Sequence, residues 1–173
     1  MPEQWQYRPF RISALQSTVT PIGNNVATTS ATTITAGNNV VVTPASMNNI
    51  TVGRWLNFNG GTGSPEDVQV ISVTATTFTA NFVNNHSGAY LISSSRTVDL
   101  GHLTVNQAGS TIVITLYDGH PSAWVAGTTI AVISPNTSEP TRSFDVRCNR
   151  GLFFTCTGTT VGDYTVSYHD RSA

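Results

Sequence analysis

The side chains able to do chemistry in this 173-residue chain are few: four histidines, two cysteines and nine carboxylates. A metal centre needs several of them to converge, and short paired spacings such as H-x-H or H-E-x-x-H are the usual sign. His86, His102, His120 and His169 show no such pairing. His86 falls in Asn84-Asn85-His86-Ser87-Gly88 and His120 in Asp118-Gly119-His120-Pro121, both turn-like by composition. They read as loop residues rather than ligands. Calcium asks for clustered acidic oxygens, and the adjacent Glu66 and Asp67 would point to opposite faces of a strand. No metal and no cofactor is expected.

Covalent or hydrolytic catalysis has as little to build on. Cys148 and Cys156 alternate with Phe144, Val146 and Phe154, the pattern of core thiols rather than of an activated nucleophile. If Asn149-Arg150-Gly151 closes a hairpin, the two sulfurs lie roughly 13 Å apart along the ladder, too far to bridge. Buried free thiols are expected. G-x-S-x-G, the phosphate-binding loop and the dinucleotide fingerprint are absent. A glycosidase pair could be hidden among the carboxylates, since spacing alone does not reveal two acids across a cleft. The expectation is a protein without catalytic residues.

Charge narrows the partners. Only 10% of residues are charged, the formal net charge is −1, and every basic residue is an arginine. That leaves no clustered Lys and Arg for nucleic acid. No apolar run reaches the ~18–20 residues of a membrane span. The opening MPEQWQYRPFRIS lacks the apolar core of a secretion signal. No nucleic acid, no membrane and synthesis in a cytoplasm are expected.

The elements that must position any site read as strands. Helical periodicity is missing, and period-two alternation recurs between Gly, Asn, Pro and Ser clusters. Ile112, Ile114 and Leu116 share one face of 110–118, and Tyr164, Val166 and Tyr168 one face of 163–169. Further strands are predicted at 39–43, 50–58, 66–73, 77–83, 89–92, 97–105, 127–134, 141–148 and 152–157. Short strands so regularly punctuated predict an all-β protein of antiparallel sandwich or small-barrel modules.

Ser93-Ser94-Ser95 marks an internal boundary. It divides a first β module, residues 17–95, from a second β-sandwich module, residues 96–173, in tandem; one larger sandwich is the alternative. Modules of about 80 residues bury only about 60–65% of their unfolded surface, so packing against other modules or subunits is expected. Edge strands are usually blunted by lysine, proline or bulges. Lysine is missing here, which points to edges covered by another chain, unless Pro44, Pro121, Pro135 and Pro140 protect them locally. Residues 1–16 read as an extended N-terminal arm. Its Trp5, Tyr7, Arg8, Phe10 and Arg11 are of the types that dominate binding hot spots. They could lie on a neighbouring subunit or fold back onto their own core. Trp55 alternates against Leu56 and Phe58 and Trp124 sits in a loop, so both are candidates for glycan stacking.

Two stretches carry a resemblance. EDVQVISVTATTFTANFVNNHSGAYLI, Glu66 to Ile92, is similar to a β module that recurs in tailed-bacteriophage virion proteins. Gly101 to His169, with LTVNQAGSTIVITLYDG, GTTIAVIS, SFDVRCNRGLFFTCTG and DYTVSYHD, resembles another phage-associated sandwich. The resemblance implies a structural protein of the virion, made in the host cytoplasm. The implied type is a head decoration or cement protein that binds the major capsid protein or other virion subunits as a homo-oligomer, a trimer first. The alternative is a neck, tail or fibre-associated module, with glycan binding for host attachment.

Overall fold

A computed structural model describes residues 7–94, 97–123, 126–134, 141–160 and 162–171. Among them the chain forms β1 (Arg8–Ile12), β2 (Gln16–Pro21), β3 (Val26–Ser30), β4 (Gly37–Val42), β5 (Trp55–Asn59), β6 (Glu66–Val73) and β7 (Phe78–Phe82). These are followed by β8 (Tyr90–Ser94), β9 (Val98–Gln107), β10 (Val113–Asp118), β11 (Thr128–Ile133), β12 (Thr141–Cys148), β13 (Leu152–Thr157) and β14 (Asp163–Asp170). The described residues contain no helix, and all strand pairs are antiparallel. The fold is all-β, as alternation predicts. The strands form two compact units.

The first unit holds the described residues of Met1–Asn24, Arg96–Gly119 and Thr128–Ala173. It has two four-stranded sheets, ordered β1-β14-β9-β12 and β11-β10-β13-β2. Numbered within the unit, these orders are 1-8-3-6 and 2-7-4-5, the two interleaved Greek keys of a jelly roll. Inward residues of both sheets make one core: Ile12, Leu100, Leu103, Ile114, Leu116, Phe154, Tyr164 and Val166 are all nearly or wholly buried.

Residues 8–12 do not extend as an arm; of the two courses open to them they take the return to their own core and form β1, paired with β14 from Arg8 opposite Tyr168 to Ile12 opposite Tyr164. Phe10 and Ile12 alternate inward, and Pro9 is tolerated because an edge strand need not donate every N–H. Cys148 and Cys156 are buried and free, but Asn149-Arg150-Gly151 does not close a hairpin. Cys148 pairs opposite Val98 in one sheet and Cys156 opposite Ile114 in the other. The turn therefore carries the chain between the layers.

The second unit holds Asn25–Ser95 and the described part of His120–Gly127. Its six strands are ordered β3-β8-β5-β6-β7-β4 around Phe58, with Leu56, Val68, Phe78, Ala80, Tyr90 and Ile92 buried beside it. β6 pairs with β5 over Glu66–Gln69 and with β7 over Val70–Val73, with a bulge between Val70 and Ser72. The sheet stays open, with β3 and β4 as its edges, and the segment after β4 returns to β3. Past β4, Ala45 N–H donates to Thr29 O (2.8 Å), and Ser30 Oγ of β3 donates to Thr43 O (2.8 Å).

The expected boundary at 95/96 coincides with a change of unit, whereas the one at 16/17 falls at Asn24/Asn25, and residues 120–127 group with the second unit. The reason is pairing. β1 and β2 find their partners in β14 and β13, so the N-terminal strands belong with the C-terminal half. The second unit is in effect an insertion between the second and third strands of the jelly roll.

Candidate functional site

Sheet alternation sets a polar outer face on β1-β14-β9-β12. Val98 and Leu100 point into the core, so Asp99 between them points out. Register places Arg147 of β12 and His169 of β14 directly opposite Asp99 on either side. Three groups converge on that carboxylate: Arg171 Nε donates to Oδ2 (2.6 Å), Arg147 Nε lies 3.5 Å from Oδ1 and His169 Nδ1 3.9 Å from Oδ2. Beside them opens a cleft of about 530 Å³ lined by Tyr7, Asp99, Asp145, Val146, Arg147 and Arg171.

The sheet is deformed where the cleft forms. Opposite β14, Gly101 and His102 face Ser167 alone; opposite β12, Phe144 and Asp145 face Gly101 alone. Such bulges re-aim side chains. Asp145 adopts φ 49°, a left-handed conformation that Asp tolerates better than most residues. Gly101 leaves room for Tyr7 to lie on it: a Cβ there would stand 2.7 Å from Tyr7 Cε1 and 2.8 Å from Ser167 Oγ, so those side chains would have to shift. Tyr7 remains 45% exposed, and its ring meets His169 edge-on with centroids 6.4 Å apart.

Ser167 Oγ accepts the His102 N–H (3.1 Å) and stands 2.9 Å from His102 Nδ1. A hydroxyl beside an imidazole is the start of a nucleophile–base pair. Here the hydroxyl is buried under the bulge and tied to the backbone of the same histidine. Its evident role is to pin the bulge that floors the cleft.

The described arm residues are not brought together into one patch. Trp5 lies outside the described residues. Tyr7 forms the lip of the cleft, and Arg8 is exposed at the start of β1. Phe10 is half-buried against Phe154, with centroids 5.6 Å apart. Arg11 donates from Nε and Nη2 to both carboxylate oxygens of Asp163, at 2.8 and 2.9 Å. That hydrogen bond, helped by charge attraction, raises the Arg11 pKa and lowers that of Asp163.

Of the two candidate glycan-stacking residues, Trp124 lies outside the described residues. Trp55 is 61% exposed on the outer face of the second unit's sheet, while Leu56 and Phe58 are fully buried. It stands opposite Gln69, and on the same face Asn57 Nδ2 donates to Asp67 Oδ1 (2.8 Å).

Glu66 and Asp67 do point to opposite faces, and the inward Glu66 is a buried anchor. Its Oε2 accepts Val83 N–H (2.9 Å), and its Oε1 accepts Asn84 N–H (3.0 Å) and pairs with His86 Nε2 (2.8 Å). His86 occupies a turn segment, yet its ring is buried among Phe58, Phe82 and Tyr90, 5.8–6.0 Å between centroids. Turn composition describes the backbone and says nothing of where the imidazole goes. Asp99, Arg147, His169 and Arg171 were also absent from the sequence candidates. They are distant in sequence, and only the register joins them.

Among the described residues no three His, Cys, Asp or Glu side chains are placed to hold a metal ion, and no helix is long and apolar enough to cross a membrane. No protein-family model, no curated protein and no solved structure matches the chain.

Proposed function

We propose that this chain is a non-enzymatic structural subunit of a tailed-phage virion, a head-decoration protein that oligomerises and binds the capsid shell. The observation that carries this reading is the eight-stranded jelly-roll order of the first unit. Jelly rolls recur in viral capsid and lectin domains, a fold-level analogy that adds to the resemblance of residues 66–92 and 101–169. We place the attachment at the sheet edges, since Arg8–Ile12 are paired within the sandwich as β1. The edge strand β11, TTIAVI, carries neither charge nor proline, only a bulge between Thr129 and Ala131, and its Val132 is 61% exposed. Edges left in that state favour pairing with another chain.

The test is the mass of the purified chain by light scattering at several concentrations, with co-sedimentation on phage heads that lack decoration. A trimer or larger closed ring that binds heads is expected, and Val132→Lys is expected to weaken both. A monomer at every concentration that also leaves heads bare overturns the proposal.

A second reading rests on Trp55. An exposed indole bordered by Asn57, Asp67 and Gln69 suits glycan binding for host attachment. On that reading Trp55→Ala abolishes polysaccharide binding and leaves the unfolding midpoint unchanged. A lowered midpoint would mark Trp55 as structural instead.

A further inference from the structure

We infer that the cleft over Gly101 is a binding site for an uncharged saccharide of one or two rings, separate from the Trp55 face. It is an open depression whose volume, about 530 Å³, leaves room for one or two rings. Three features define the ligand.

The first is an aromatic platform. Tyr7 is 45% exposed, lies over Gly101 and meets His169 edge-on. A pyranose presents a face of C–H groups that stacks on such a ring. The second is a mixed set of polar groups. The guanidiniums of Arg147 and Arg171 donate hydrogen bonds, and the carboxylate oxygens of Asp99 and Asp145 accept them. Sugar hydroxyls do both, so neighbouring hydroxyls can answer a guanidinium and a carboxylate together.

The third is charge. Two carboxylates balance two guanidiniums along the lining. Asp99 already lies 2.6 Å from Arg171 Nε and 3.5 Å from Arg147 Nε. An anion would have to displace Asp99 and face Asp145, and a cation would meet two arginines. An uncharged polyol avoids both penalties. The lining is also set in advance, since paired bulges fix Asp145 and Val146 as adjacent residues on one rim.

The test is an amide-shift NMR titration of the full ¹⁵N-labelled chain with glucose, galactose, mannose, N-acetylglucosamine, maltose and lactose. Glucuronate and inorganic phosphate serve as charged comparators. Titration to about 100 mM saturates even millimolar sites. At least one neutral sugar should shift the amides of Asp99, Gly101, Asp145 and Arg147 saturably, with glucuronate and phosphate about tenfold weaker or more. Tyr7→Ala and Asp145→Asn should each weaken binding about tenfold, equivalent to about 1.4 kcal/mol, in spectra that stay dispersed. Trp55→Ala should leave the shifts at Asp99, Gly101, Asp145 and Arg147 unchanged. The inference is overturned if none of the six sugars shifts these amides, if Tyr7→Ala binds as the parent does, or if a charged comparator binds more tightly. Binding lost in Trp55→Ala and kept in Tyr7→Ala would move the sugar to the other unit and likewise overturn it.

Discussion

Removing the Glu66 carboxylate should unlatch the segment between β7 and β8. In Glu66→Ala the amides of Val83 and Asn84 and the imidazole N–H of His86 lose their acceptor together. Hydrogen bonds to a charged group are worth about 1.5–3 kcal/mol each. Simple addition gives about 4.5–9 kcal/mol, too high because water can enter the space the side chain leaves and the losses are coupled. The three losses come from one buried anchor and overlap, and we expect Glu66→Ala to cost about 3–5 kcal/mol. Glu66→Gln keeps one carbonyl oxygen and should cost about 1.5–3 kcal/mol. Urea unfolding measures the loss as a lowered midpoint at constant slope. Hydrogen exchange localises it, with the Val83 and Asn84 amides losing the most protection. A cost for Glu66→Ala below about 1 kcal/mol, or unchanged exchange at those two amides, would refute the latch.

Two further outcomes follow from burial. Burial, with the carboxylates of Asp118 and Asp99 adding to it, pushes the Cys148 thiol up to about 12, and burial also raises Cys156. Neither should react with iodoacetamide at pH 8 until the first unit opens; rapid labelling of the native protein would contradict their placement. His120 accepts the Ser122 N–H at Nδ1 (3.1 Å), and burial lowers its pKa from the usual 6.5. The unfolded chain therefore binds the extra proton more readily. His120's contribution is fully present above pH 6.5 and is lost as pH falls from there through its folded pKa. Stability of the second unit should drop over that range in the parent and drop less in His120→Gln, as read by urea midpoints at several pH values.

Much of the sheet structure was legible, and little of its pairing. Alternation gave the bounds of β6, β12 and β13 and the faces of Ile114, Leu116, Tyr164 and Val166, because a strand's inward side is written in its own residues. β1, β2 and β3 were missed. Arg8-Pro9-Phe10-Arg11-Ile12 has only two apolar residues to bury, and a proline interrupts it. Its strand character comes from β14, some 150 residues away. Asn149-Arg150-Gly151 reads the same whether the flanking strands pair or part into two sheets. The cleft was invisible for a related reason. Bulges at Gly101 and Asp145 depend on how three strands slip past each other, and no single segment records the slip.

The place of β14 between β1 and β9 also sets when the sandwich can close. Arg11 and its partner Asp163 are 152 residues apart. At about 5–20 residues per second, a ribosome needs about 8–30 s to make the stretch between them. Throughout that interval β1 and β9 have no strand to share, and Phe10 and Ile12 have no layer to enter. The inserted unit can pair all six of its strands much earlier, since β3 through β8 lie within Val26–Ser94. Folding of the jelly roll is thus gated by its last strand. A chain that stops short of Asp163 would lose the strand that joins β1 to the sheet and present two open edges to other nascent copies.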